Sequence, residues 1–115
     1  MVVDQLSDQE ADRVFHAMAD ATRRDILTRV VEAEQSVSAL SRGYEMSFAA
    51  VQKHVAVLER AQLVRKERRG REQIVHADTA TLRRASRLLD AYEQLWTQRV
   101  AQISDLLAAE EGKER

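Results

Sequence analysis

Residues 47 to 71, SFAAVQKHVAVLERAQLVRKERRGR, hold a short amphipathic helix, a sharp stop and an arginine-rich hairpin tip. Apolar Val51, Val55 and Leu58 fall at i, i+4 and i+7, which places them on one side of a helix that Ser47 can cap. After Ala61 the period changes, and two short runs, LVRKERR and EQIVHAD, flank Arg69-Gly70-Arg71, where Gly70 can supply the positive φ of a tight hairpin turn. A wider segment, 42 to 71, carries eight Lys/Arg against three acids. That local balance of +5 leaves −6 for the rest of a chain whose formal charge is −1. A basic stripe on an acidic body is the electrostatic footprint of a surface that neutralises phosphates.

Upstream, Ser7 and Glu10 make a capping box that opens a first helix running from about residue 8 to Ala19, with Val14, Phe15 and Met18 on its buried face. Asp20 caps a second helix, ending near Glu34, that carries Ile26, Leu27, Val30 and Val31 inward. Ser36 opens a short third helix with Val37 and Leu40 inward, and Gly43 turns the chain towards Ser47. Two helices joined by a tight turn and followed by strands form a helix-turn-helix arrangement. The expected architecture is therefore a single domain, mostly α with a two-stranded β-hairpin wing: helix-turn-helix about 36–60, wing about 63–77, and a long helix about 79–108.

That last helix carries Leu82, Ala85, Leu89, Tyr92, Trp96, Ile103 and Leu106 at alternating three- and four-residue steps broken at Arg99. Leu88, Leu95, Val100 and Leu107 lie beside them. A stripe of about 25 residues is roughly 38 Å long at 1.5 Å per residue, more than a small domain covers alone, so it should pack on another subunit. EEGKER at the end reads as a frayed, charged tail.

Composition narrows the chemistry. With 115 residues and no cysteine, disulfides and thiolate metal sites are excluded. No apolar run approaches the roughly 18 residues of a membrane span, and MVVDQLSDQE lacks the features of a secretory signal, so a cytoplasmic protein without a membrane partner is expected. No nucleophile–base pair, glycine-rich phosphate loop or spaced carboxylate pair is present, which leaves catalysis without a candidate and gives no cofactor a motif.

Three fragments in order, AMADATRRDIL at 17–27, MSFAAVQKHVAVLERAQLV at 46–64 and RRGREQIVHAD at 68–78, followed by a long helix with LWTQR at 95–99, resemble the ArsR family of bacterial winged-helix transcriptional repressors. The resemblance spans residues 12 to 107. It implies a homodimer joined through the first and last helices, a fourth helix reading the major groove of a double-stranded operator, and a wing on flanking DNA. Two departures stand out: Ala21 where the family commonly has Pro, and Gln62 where it often has Gly. At Gln62 either left-handed strain of around 1 kcal/mol is accepted or the turn differs.

With Val51, Val55 and Leu58 inward, the opposite face presents Phe48, Ala49, Gln52, Lys53 and Ala56. Gln52 can pair with adenine, Lys53 can donate to guanine or phosphate, and Phe48 and Ala49 can touch thymine methyls. Ser47 either caps alone or also brings the helix amides to a phosphate. His54, at the edge of the apolar face, can donate to phosphate or pack with a satisfied ring. Arg68, Arg69 and Arg71 are read as backbone or minor-groove contacts rather than edge protection, and only one of Arg65 and Lys66 should reach DNA. Arg23 and Arg24 can pair with Asp20 or Asp25.

The expected dimer interface is Phe15, Leu89, Tyr92, Trp96 and Ile103. Tyr92 and Trp96 read as core or dimer seam, with a small-molecule pocket as the alternative. Neither metal site of the resembling family can be carried over, because cysteine is absent and the histidines at 16, 54 and 76 lie outside the last helix. An unidentified effector or partner protein stays open. The rival function is a winged-helix protein-interaction module without specific DNA binding, which fold alone does not exclude.

Overall fold

The computed structural model describes residues 5–113. Its elements are α1 (Asp8–Met18), α2 (Ala21–Glu32), β1 (Gln35–Ser36), α3 (Val37–Arg42), α4 (Phe48–Arg60), β2 (Val64–Arg69), β3 (Glu72–Ala77) and α5 (Thr79–Lys113). The chain divides into a body, up to Ala85, and the remainder of α5 from Ser86.

Each of the first four helices starts where a short polar side chain can hold the orphan amides of a first turn. The Ser7 hydroxyl accepts from the Glu10 N–H at 3.1 Å while the Glu10 carboxylate accepts from the Ser7 N–H at 3.0 Å. Asp20, Ser36 and Ser47 accept from the N–H groups of Arg23, Ala39 and Ala50. Asp78 does the same for α5, accepting from Ala80 and Thr81. The carboxyls of Glu10 and Asp20 are held below their usual values, first by these backbone contacts.

Arg23 and Arg24 have a job that no local pattern announces. Arg23 donates from Nε to the Ala17 carbonyl at 2.8 Å and from Nη2 to that of His16 at 3.1 Å, and Arg24 donates to Met18 at 2.7 Å. Two guanidinium groups of α2 thus satisfy the last carbonyls of α1, where a cation is also favoured by the helix dipole. Of the ion pairs expected for them, Arg23–Asp20 is present as a loose contact at 3.9 Å.

Fully buried Ile26, Leu40, Val51, Val55, Leu58, Leu63 and Val75 form the centre of the core. Each side chain of this size contributes about 1.5–3 kcal/mol when removed from water. Two residues expected inward are not there: Phe15 is 42% exposed and Val31 53% exposed. Their helices bury Val14 and Ala17, and Ile26, Leu27 and Val30, and one flank of each apolar stripe remains uncovered.

The sheet is antiparallel, in the order β1-β3-β2. Its hairpin pairs Val64 with Ala77 through Arg69 with Glu72, and β1 adds Gln35 opposite Val75 and Ser36 opposite Ile74. The expected two-stranded wing therefore has a third strand. Two residues are too short for a period of two to appear in the sequence.

The stop after α4 is a Schellman motif. Leu63 N–H donates to the Leu58 carbonyl at 3.0 Å and Gln62 N–H to that of Glu59 at 2.9 Å, while buried Leu58 and Leu63 supply the apolar contact of the motif. Gln62 sits at φ 61°, so left-handed strain is accepted here without glycine. Gly70, at φ 65°, takes the hairpin turn as expected. Gly43 is different: its φ of −88° suits any residue, and the Arg29 guanidinium occupies the place a Cβ would take. Arg29 also lies 4.7 Å over the Tyr44 ring and 3.0 Å from Asp25, which accepts the Tyr44 hydroxyl proton at 2.5 Å.

From Leu89 to Gly112 every residue of α5 is exposed. The helix passes the expected end at Ala108 and runs to Lys113, because alanines, leucines and glutamates are strong helix formers and only Gly112 opposes them. EEGKER is thus helical through Lys113, and its last two residues, like the first four of MVVDQLSDQE, lie outside the described residues. No helix among them is long and apolar enough to cross a membrane.

Candidate nucleic-acid interface

Helix α4 is fixed to the body by Val51, Val55 and Leu58, all buried, and turns its other side to solvent. Phe48, at 45% exposure, Ala49, Gln52 and Lys53 are exposed, as the helical spacing predicts, whereas Ala56 is half-buried. Among the described residues neither Gln52 nor Lys53 makes a hydrogen bond or ion pair. An amide with two donors and an acceptor, next to an ammonium, stands ready for base edges and phosphates. Phe48 exposes an aromatic surface that its own chain does not cover.

At the start of this helix, the Ser47 hydroxyl is engaged with the Ala50 N–H at 3.1 Å. His54 is half-buried, with Nδ1 3.4 Å from Arg23 Nη1. A guanidinium can only donate, so in this contact Nδ1 is the accepting atom and Nε2 is the ring nitrogen left over. His54 therefore packs against the α1–α2 junction and still keeps a second ring nitrogen.

The hairpin separates its cations into two kinds. Arg68 and Arg71 are exposed and make no ion pair among the described residues. Arg65 is likewise exposed, while Lys66 is half-buried and 3.4 Å from Glu59 of α4. Arg69 is tied down. Its Nη1 is 2.8 Å from Glu34 and its Nη2 2.7 Å from Glu67. His76 completes a closed ring, with Nδ1 3.1 Å from Glu34 and Nε2 3.0 Å from Glu67. The Arg69 contact holds the Glu34 carboxyl below its usual range, and the His76 contact, then that of Arg69, does the same for Glu67.

Sequence reasoning grouped Arg69 with Arg68 and Arg71 and missed the ring. The Glu34–Arg69 contact crosses 35 positions, beyond any local pattern. One signal was available: side chains alternate along a strand, so Arg69 shares a face with Glu67 and Arg68 does not. Among the described residues no group of three or more His, Asp or Glu converges as a metal site.

On α1 and α5 the residues expected to meet a partner are all exposed: Phe15, Leu89, Tyr92, Trp96 at 65%, and Ile103.

Residues 18–67 match a model described as a helix-turn-helix domain. The chain is 31% identical over 99 residues to the HTH-type transcriptional regulator Rv2034 of Mycobacterium tuberculosis, covering 86% of this chain and 90% of that one. Among solved structures, an ArsR-like transcriptional regulator from Rhodococcus sp. RHA1 superposes with a TM-score of 0.75 at 35% identity, over 85% of this chain and 92% of that one. A homodimeric winged helix-turn-helix DNA-binding domain from Mycobacterium bovis shares the fold, with a TM-score of 0.62 at 21% identity, over 77% of this chain and 89% of that one.

Proposed function

The chain belongs to the ArsR family of winged helix-turn-helix transcriptional regulators, and on that premise we propose that it acts as a homodimeric repressor that binds a pseudo-palindromic operator. Helix α4 enters the major groove. Gln52 and Lys53 read base edges, Phe48 and Ala49 touch thymine methyls, and the Ser47 end of the helix and His54 Nε2 approach phosphate. On the wing, Arg68 and Arg71 lie on flanking backbone or in a minor groove. The dimer forms through Phe15 of α1 and Leu89, Tyr92, Trp96 and Ile103 of α5. A second copy is the occupant that suits these faces, because a related fold is homodimeric and apolar patches of this extent are rare on monomers.

The observation that carries this reading is the bare α4 face. Phe48, Gln52 and Lys53 are exposed together on a helix whose other side is core, beside two exposed wing arginines. A pure interaction scaffold has no use for that combination.

Selection of sites from random duplex DNA with the purified protein tests it. The expected result is an enriched inverted repeat with half-sites about 34 to 36 Å apart, one helical turn. Absence of any enriched motif at modest salt would sink the repressor reading.

A further inference from the structure

We propose that Arg69, Glu34, Glu67 and His76 form a clasp that positions the wing, and that Arg69 is an internal anchor rather than a phosphate contact. This rests on the reading of β2–β3 as a DNA-contacting wing.

Three observations support it. The first is connectivity. Glu34 lies between α2 and β1, Glu67 and Arg69 are on β2, and His76 is on β3. Four contacts of 2.7–3.1 Å run round the ring. The outer end of the hairpin is thereby fastened to the helical body at the point where α2 ends. Buried Val64 and Val75 and the Lys66–Glu59 contact hold the inner half of the ribbon, and beyond them β1 pairs only with Ile74 and Val75 of β3, so the clasp is what fastens its outer end.

The second is charge. Two carboxylates face one guanidinium, so the ring carries −1 with a neutral imidazole and 0 with an imidazolium. Neither state offers net positive charge to a phosphate. An arginine already neutralised within its own chain releases no counterion from DNA, and counterion release is what a phosphate contact contributes to affinity. The imidazole geometry adds to this. Both ring nitrogens face carboxylates, and a neutral ring has a single N–H, so the closed ring is fully hydrogen-bonded only with His76 doubly protonated.

The third is direction. Register pairs Arg65 with His76, Glu67 with Ile74 and Arg69 with Glu72, so Arg65, Glu67, Arg69, Glu72 and His76 share one face of the hairpin. Arg68 leaves from the opposite face, and Arg71 from the turn itself. The clasp therefore restrains one face of the wing, where Arg65 is the remaining exposed cation, while Arg68 and Arg71 are displayed elsewhere.

The test measures binding of the full-length protein to a mixed-sequence DNA duplex across a salt series. Four proteins are compared: wild type, Arg69→Ala, the double variant Arg68→Ala/Arg71→Ala, and Arg69→Lys. Arg69→Ala should weaken binding severalfold while keeping the wild-type slope of log K against log salt. Removing Arg68 and Arg71 should flatten the slope of the dimer by about 3.6, two phosphates on each of two wings at about 0.9 per phosphate.

If Arg69→Ala flattens the slope of the dimer by about 1.8, one phosphate on each of two wings, Arg69 touches phosphate and the clasp is wrong. Thermal melts accompany each variant. In Arg69→Lys the lysine keeps the charge but lacks the fork that spans two carboxylates. Weakened binding at an unchanged slope then supports the clasp, and wild-type binding overturns it. Unchanged affinity and slope in Arg68→Ala/Arg71→Ala would instead remove the wing from DNA, and the clasp's role with it.

Discussion

Replacing Gln62 by glycine should stabilise the protein without touching its DNA-binding surface. Gln62 holds φ 61° at the C′ position of α4, where an L side chain costs roughly 1–2 kcal/mol of left-handed strain. The side chain is exposed and makes no hydrogen bond among the described residues, so its removal forfeits little. Glycine brings its own cost, about 0.5–1 kcal/mol of additional backbone entropy in the unfolded chain. Taking the middle of each range leaves a net gain of about 0.7 kcal/mol. For a domain of this size that corresponds to a rise of roughly 2–6 °C in melting temperature.

The Schellman hydrogen bonds from Gln62 and Leu63 belong to the backbone and persist in the variant. Urea unfolding of wild type, Gln62→Gly and Gln62→Ala at one protomer concentration measures the effect, since an associating protein changes stability with dilution. Gln62→Ala keeps the strain and should stay within about 0.5 kcal/mol of wild type. A glycine variant no more stable than the alanine variant would refute the assignment of strain to this position.

Four further outcomes follow from particular contacts. In the proposed homodimer Trp96→Asp removes an anchor worth about 2 kcal/mol from each protomer and should raise the dissociation constant on the order of 1000-fold, which sedimentation velocity would record; an unchanged sedimentation profile would place the seam elsewhere. Leu58→Ala, which empties a fully buried site at the α4 terminus, should cost about 2–5 kcal/mol in denaturant unfolding. Lys53→Ala should lower affinity or relax base preference in selection experiments, and a variant selecting the wild-type motif with wild-type affinity would take Lys53 out of the groove. Finally, Asp20 has its carboxyl held below its usual 3.8 by the Arg23 N–H, so it contributes stability above that value and loses it as pH falls through the lower folded value. Asp20→Asn keeps a capping oxygen but no titrating group, so its melting temperature should fall less steeply than wild type in that acid range.

What could be read in the sequence was what acts over short range. Ser7, Asp20, Ser36 and Ser47 were legible as caps because a cap and the amide it satisfies lie three residues apart. The inner face of α4 was legible because Val51, Val55 and Leu58 repeat at helical spacing and all meet one core. Beyond that range the signal thins. Arg23 reaches back six and seven residues to the carbonyls of Ala17 and His16, and nothing in its neighbours distinguishes that role from an ion pair with Asp20. Gly43 turns the chain as its position suggests, but the sequence does not show that a guanidinium from α2 fills the space beside it.

Two ambiguities have a common physical origin, and they bear directly on function. An apolar residue on an amphipathic helix announces that it will be buried, not by what. Phe15 therefore read as core, whereas the body leaves it exposed and α5 carries an uncovered apolar stripe of its own. A cation in a basic run likewise announces that it will be neutralised, not by whom. Arg68, Arg69 and Arg71 were equivalent in sequence, yet Glu34 supplies in cis for Arg69 what phosphate would supply in trans for its neighbours. In both cases the decision lies with a partner distant in sequence. Only the folded chain separates a surface satisfied within the protein from one left exposed: the outer face of α4, two wing arginines and the stripe on α5 are of the second kind, as the proposed DNA and dimer contacts require.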